Sequence, residues 1–154
     1  MTGMQLILWR HCDAEDGGPD ALRRLSARGH DEASRMARWL AQRLPADSRI
    51  VVSPALRAQQ TAAALGRVVE TVAELAPGAT VDDVLRVAGW PDAAVATLVV
   101  GHEPTLGDVA SQLLHGAAGD GQRLHKGGIV WLMQRDGDPS AVLKAAADPG
   151  SIAR

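Results

Sequence analysis

Arg10 and His11 stand directly behind the apolar run Leu6-Ile7-Leu8-Trp9. A short apolar run that ends abruptly in charge reads as a buried strand whose C-terminal end opens into a crevice. At such an end a guanidinium supplies a fixed fork of donors suited to phosphate, and an imidazole can act as nucleophile or base. The arrangement recurs twice. In Arg49-Ile50-Val51-Val52-Ser53-Pro54 the apolar run stops at Ser-Pro, and a helix-forming stretch, Ala55 to Thr61, follows. Pro54 suits the first helical position, whose N–H would have no intrahelical partner. Arg57 then lies in the first turn, where the helix dipole favours an anion. In Thr97-Leu98-Val99-Val100-Gly101-His102 a third strand ends in glycine and histidine, and Pro104 opens another helix. With these strands parallel in one sheet, Arg10, His11, Arg57 and His102 meet at one edge as an anion-seeking pocket.

These segments resemble the histidine phosphatase superfamily, and in particular its small phosphohistidine phosphatase branch, the SixA type. The superfamily's Arg-His-Gly motif appears as Arg10-His11-Cys12, its Ser-Pro-x-x-Arg-x-x-Gln-Thr motif in full as Ser53 to Thr61, and its late Gly-His as Gly101-His102. The small branch carries an arginine ahead of a Leu-Thr-x-x-Gly turn, which is similar to Arg23-Arg24-Leu25-Ser26-Ala27-Arg28-Gly29, with either arginine able to face the pocket. The likeness runs in order from residue 5 to about residue 135. It implies a phosphatase in which His11 is the nucleophile. Two departures stand out. Cys12 replaces a glycine, and a side chain there resists a positive φ. The chain is also too short for the insertion that carries a carboxylate general acid in larger relatives. Glu74 remains as a tentative acid, and it could equally be an orienting acceptor or a structural residue.

A phosphoryl group carries about two negative charges near neutral pH. Arg10, Arg57 and Arg23, with a protonated His102, can neutralise it and hold it for in-line attack by positioning and electrostatics. His11 must attack as neutral imidazole, so its other ring nitrogen needs an acceptor such as a backbone carbonyl to fix the tautomer. The product is a phosphohistidine that water then hydrolyses. No acidic cluster at metal-ligand spacing is present, so neither metal nor cofactor is expected. An alcohol leaves poorly unless protonated, whereas an imidazole, with a pKa near 6.5, can already carry its proton. A chain without a clear acid therefore suits protein phosphohistidine, on a signalling or phosphotransfer protein, better than a sugar phosphate. A phosphatase of small phosphoesters or phosphoanhydrides is the alternative enzyme. A non-catalytic phosphoprotein-binding module is the alternative of another class, against which an intact His11 argues.

The elements that must position these groups alternate. Strands are expected over 5–9, 49–53, 71–75, 96–101, 128–134 and 141–146, and helices over 27–44, 55–66, 81–88 and 105–115. This order predicts an α/β fold, a three-layer α/β/α sandwich on a mixed, mostly parallel sheet, its last two strands an antiparallel hairpin across Arg135 to Asp138. In the first helix Ala33, Met36, Ala37, Leu40 and Leu44 form the buried stripe, leaving Arg35, Arg38 and Gln42 to solvent. Ser26 is its expected N-cap and Pro45 its stop. The acidic loop Asp13 to Asp20 borders the pocket and is expected to move.

At 154 residues one domain, 1–154, is expected. A net charge of −2 gives no general nucleic-acid or membrane surface, so the basic residues matter by location. One cysteine permits no internal disulfide, and Gln5 to Trp9 is too short for a signal peptide, so a cytoplasmic protein without a membrane span is expected. Cys12 reads as a buried, inert thiol. His30, His115 and His125 read as surface histidines and Lys126 as a residue that could reach substrate. Trp9, Trp39, Trp90 and Trp131 are expected to fill the core of a chain without Phe or Tyr.

Overall fold

The computed structural model describes residues 3–119 and 123–153. Strand β1 spans Gln5–Arg10, β2 Arg49–Val52, β3 Glu70–Thr71, β4 Thr97–Gly101, β5 Ile129–Gln134 and β6 Ala141–Ala147. Helix α1 spans Ala27–Ala41, α2 Leu56–Ala63, α3 Val81–Ala88 and α4 Thr105–His115. Side chains alternate across each strand. Leu6, Leu8, Val51 and Val99 meet Val84 of α3 and Leu106, Val109 and Leu113 of α4 on one face. Ile7, Trp9, Ile50, Val52, Leu98 and Val100 meet Met36 and Leu40 of α1 and Ala58 and Ala62 of α2 on the other. Burial on both faces is why these strands are continuous apolar runs rather than alternating ones. The result is the three-layer α/β/α sandwich expected.

The sheet order is β3-β2-β4-β1-β5-β6. The pairs β1–β4, β4–β2 and β2–β3 are parallel, and β1–β5 and β5–β6 are antiparallel. The chain leaves β1 toward α1 on one face and leaves the adjacent β4 toward α4 on the opposite face. Their C-terminal ends therefore part and leave a crevice, the place where open α/β sheets bind ligands. Arg10 lies opposite Gly101 and Val52 opposite Val100, which brings the three strand ends level.

Several boundaries differ from expectation for local reasons. Helix α1 ends at Ala41, not 44, because Pro45 disfavours a helical Leu44; the N–H groups of Arg43 and Leu44 both turn back to Leu40 O. Helix α2 begins at Leu56, so Pro54 precedes the N-cap Ala55 instead of holding the first helical position. That helix stops at Ala63, where i→i+3 turns run out to Gly66 at φ +65°. The third strand shrinks to Glu70–Thr71; the chain then coils into a 3₁₀ turn, Ala73–Leu75, that drives Leu75 into the core. Arg35 is buried rather than solvated. It donates to Asp31 Oδ2 at 3.0 Å and to Pro149 O at 2.8 Å, because the chain beyond β6 crosses that side of α1. Trp9 and Trp131 are core. Trp39 and Trp90 are only half-buried: Trp39 packs edge-on to Trp131 under the Arg43 guanidinium, and the Trp90 indole N–H donates to Pro139 O. Among the described residues, no helix is long and apolar enough to cross a membrane.

Candidate active site

Backbone bonds beyond the strand ends fix the crevice floor. His11 N–H donates to Gly101 O at 3.1 Å, Ser53 N–H to Val100 O at 3.1 Å, and Gly127 N–H to His11 O at 3.0 Å. Cys12 follows with its N–H on Thr61 Oγ1 (3.1 Å), and the Thr61 hydroxyl donates to Arg57 O (2.8 Å). No non-glycine residue among those described has a positive φ, so the replacement of glycine by Cys12 introduces no backbone strain. Burial pushes the Cys12 thiol up to about 12, which keeps it protonated and inert, as expected.

His11 Nδ1 lies 2.8 Å from Cys12 O and donates to it, which leaves the lone pair on Nε2. Burial pushes the His11 pKa down to about 4; the Cys12 carbonyl opposes this, and the charges of Arg57, Arg10 and Arg23 push further down. The ring is thus neutral near pH 7 and in the tautomer that an attacking nitrogen needs. The His102 ring centroid is 5.2 Å from that of His11.

His102 Nε2 is 2.7 Å from Ser53 Oγ, which already accepts the Ala55 N–H at 3.1 Å. Ser53 is fully buried, and among the described residues its hydroxyl has no other acceptor, so it donates to Nε2. The His102 proton then sits on Nδ1, which is buried and unpartnered. Burial, then His11 and Arg57, depress His102 to about 3. Burial thus opposes the protonated His102 expected from the sequence, although its Nδ1–H remains a donor.

The arginines converge from three segments. Arg10 is half-buried, with Nη1 on Leu124 O at 2.8 Å, and burial holds its pKa below the usual arginine value. Arg57 is buried, 5% exposed, with Nη1 on Asp20 O (2.9 Å) and Nη2 on Asp20 Oδ2 (3.2 Å). Arg23, not Arg24, turns toward it, donating to Glu15 O and Asp20 Oδ1, while Arg24 pairs with Glu15 at the surface. A short ladder decides this: Ala14 bridges Leu25, Glu15 N–H reaches Arg24 O, and Ser26 N–H reaches Asp13 O. The loop expected to move is tied at its base by these bonds. Among the described residues, the buried side-chain polar atoms without a partner are Arg10 Nε, Arg57 Nε, His102 Nδ1 and Ser48 Oγ. Unsatisfied buried donors are rare. All but the Ser48 hydroxyl belong to this cluster, as a site that awaits an acceptor would require.

The remaining motif residues act as braces. Gln60 Oε1 accepts the Leu25 N–H at 2.7 Å, and Gln59 Nε2 donates to Ser53 O at 2.7 Å. Glu103, which drew no attention in the sequence, accepts from Gly107 N and Leu124 N, and Leu124 O in turn holds Arg10. Glu74 lies in the 3₁₀ turn after β3, exposed, and among the described residues it has no ion-pair partner. It is at the same sheet edge as the cluster but is not joined to it. Lys126 pairs with Asp13 at 3.0 Å on the wall of a neighbouring cavity of about 550 Å³, which reaches the cluster only at Arg10. His30, His115 and His125 are exposed, as expected.

The two depressed histidines set a pH dependence of stability. An unfolded histidine titrates near 6.5, and these titrate at about 4 and about 3 when folded. Between those values the unfolded chain binds more protons, so stability falls as pH drops from about 6.5 to 4. Thermal melts in phosphate-free buffer should show this slope, and His102→Gln should flatten it. A slope unchanged by the substitution would mean that His102 is not held neutral in the fold.

The sequence model of the histidine phosphatase superfamily (branch 1) matches residues 6–80. Phosphohistidine phosphatase SixA of Escherichia coli K12 is 34% identical over 122 residues, covering 73% of this chain and 76% of its own. An uncharacterised protein of Picosynechococcus is 34% identical over 139 residues, 84% of each chain. Among solved structures, the protein histidine phosphatase SixA complexed with tungstate superimposes with a TM-score of 0.79 at 28% identity, covering 96% of this chain and 98% of that one. The chain belongs to the histidine phosphatase superfamily, in its SixA-type branch, and is a hydrolase of phosphoryl groups.

Proposed function

We propose that the chain hydrolyses phosphohistidine on a partner protein through a covalent phosphohistidine on His11, without a metal. The observation that carries this reading is the set of unpartnered buried donors, Arg10 Nε, Arg57 Nε and His102 Nδ1, around a histidine whose tautomer is fixed. Arg10, Arg57, Arg23 and His102 hold the phosphoryl oxygens. The His11 Nε2 lone pair forms a nitrogen–phosphorus bond as the bond to the substrate imidazole breaks, and that imidazole departs with a proton. Water then attacks phosphorus, releasing inorganic phosphate and restoring His11. Burial is the main cause that depresses His102, with nearby positive charge second; an arriving dianion offsets that charge and places a negative one beside the ring, so His102 can then take up a proton. The guanidinium groups supply the charge neutralisation a divalent ion would otherwise give. Among the described residues, no three His, Cys, Asp or Glu side chains gather as a metal site.

The relative named a phosphohistidine phosphatase supports the substrate class. Glu74 takes the leaving-group side as the acid in this reading, because its neighbours Leu75, Ala76 and Ala79 line a small pocket with His102 and Thr105, whose hydroxyl donates to Ala79 O.

Rates on a phosphohistidine peptide, an activated aryl phosphate and an alkyl phosphate, all in EDTA, test the reading. The peptide should be the best substrate, with EDTA without effect. Glu74→Gln should slow the alkyl ester by about 10²-fold or more, the range in which general acid catalysis operates, and spare the aryl ester. A preference for the alkyl ester in the wild type, or activity lost in EDTA and restored by one divalent ion, would overturn it. Equal losses on all three substrates would remove the acid role from Glu74.

A further inference from the structure

We propose that Asp20 is a resident carboxylate that occupies donors of Arg57 and Arg23 and competes there with the phosphoryl group. By doing so it sets how weakly the enzyme holds released phosphate. The inference rests on the reading that these arginines form the phosphoryl seat.

Asp20 opens the 3₁₀ turn Asp20–Leu22, directly after Pro19. Its two oxygens divide between the arginines: Oδ1 accepts from Arg23 Nη1 at 3.2 Å and Oδ2 from Arg57 Nη2 at 3.2 Å. Its backbone carbonyl takes Arg57 Nη1 at 2.9 Å. This presentation is built by the fold. The turn closes on itself through Leu22 N to Pro19 O and Arg23 N to Asp20 O, and it stands on the ladder that joins Asp13–Glu15 to Arg24–Ser26. That ladder is clamped from below by α1, whose Gly29 lies so close to Asp13 O that no Cβ could be accommodated.

The asymmetry of burial decides what the carboxylate can do. The Arg57 side chain is 6% exposed and that of Asp20 is 59% exposed. Asp20 can therefore swing into water without stranding a buried charge, whereas Arg57 cannot leave. Arg10, Arg23 and Arg57 face two neutral histidines, and Asp20 is the carboxylate in contact with two of those guanidinium groups. Asp16 is farther out, 3.7 Å from Arg23 Nη2 and fully exposed. A phosphoryl dianion has more charge and more oxygens to offer the same donors. It cannot share them with a carboxylate without like-charge repulsion. Substrate binding thus exchanges one anion for another, and after hydrolysis the carboxylate returns and helps inorganic phosphate leave. Arg23 and Arg57 keep Asp20 below the usual carboxylate range, so it is ionised and unfit to be the proton donor.

Calorimetric titration with inorganic phosphate, backed by vanadate inhibition, tests this on the full chain. Asp20→Asn removes the charge but keeps an oxygen for Arg57, and it should tighten phosphate about tenfold, the order expected for one partly screened charge at short range. Asp20→Ala should move affinity in the same direction. Asp16→Asn should change it less than about twofold, since an exposed charge at that distance is screened by salt. Unchanged or weaker binding in both Asp20 variants would overturn the proposal, as would equal tightening by Asp16→Asn, which would reduce the effect to bulk charge. Arg57→Ala separates the two layers. If it leaves phosphate affinity intact, the seat itself has been misassigned and the Asp20 inference falls with it. If it weakens affinity while the Asp20 variants do not strengthen it, only the competition is wrong.

Discussion

Replacing His11 with alanine should lower turnover of every phosphoryl substrate by about 10⁴-fold or more, as loss of a covalent nucleophile does when the rest of the site remains. The fold should survive. The imidazole makes one side-chain bond, Nδ1–H to the carbonyl of Cys12, and the backbone bonds to Gly101 and Gly127 do not involve it. Removing it leaves a small polar recess beside His102, not a hole in either apolar cluster. Steady-state rates with an aryl phosphate and with a phosphohistidine peptide, alongside a thermal melt, check this. Retention of more than about a hundredth of the activity would remove His11 from the nucleophile's role.

Arg57→Ala should be the next most damaging change, costing about 10³-fold in kcat/KM, in line with the loss of a preorganised charge on a transferring phosphoryl group. Arg57→Lys should recover little, because an ammonium cannot reproduce the planar fork that reaches both Asp20 and the seat. Stability should change modestly. The partner left behind, Asp20, is exposed, the Thr61 bond goes to the Arg57 backbone, and one positive charge is withdrawn from a crowded cluster. For the same reason the His11 pKa should rise in this variant, since Arg57 is one of the charges that depress it. Normal kinetics, or a collapse of the thermal midpoint, would contradict the assignment.

The sequence discloses the parts of this site that depend on strand ends. An apolar run that stops at Arg10-His11, at Ser53 or at Gly101-His102 can end only at a sheet edge, and parallel pairing in register then brings these groups together. The hairpin across Arg135 to Asp138 is equally legible, since Gly137 supplies the positive φ of its turn. Contacts between distant segments are not legible. Helical periodicity assigns Arg35 to solvent because nothing local announces that Pro149 will cross it. The choice between Arg23 and Arg24 turns on a ladder between Asp13–Glu15 and Arg24–Ser26, whose residues carry no strand pattern. Asp20 sits at i−3 from Arg23, a spacing visible in the chain, but its second partner is 37 residues away. The Ser53 to Thr61 string shows a family likeness long before it shows its mechanics. Only in the fold does each polar member acquire a partner: Ser53 on His102, Arg57 on Asp20, Gln59 on Ser53 O, Gln60 on Leu25 N, Thr61 on Cys12 N.

In the proposed reaction a phosphoryl group passes through His11. Rapid mixing of the enzyme with excess ³²P-labelled phosphohistidine protein, quenching in alkali within milliseconds, and peptide mapping of the label test it directly. The label should appear on the peptide that contains His11 at a level approaching one group per chain, persist in alkali and be lost in acid. Label on His102 or Cys12 instead, or turnover that proceeds with no labelled enzyme at any time, would contradict it.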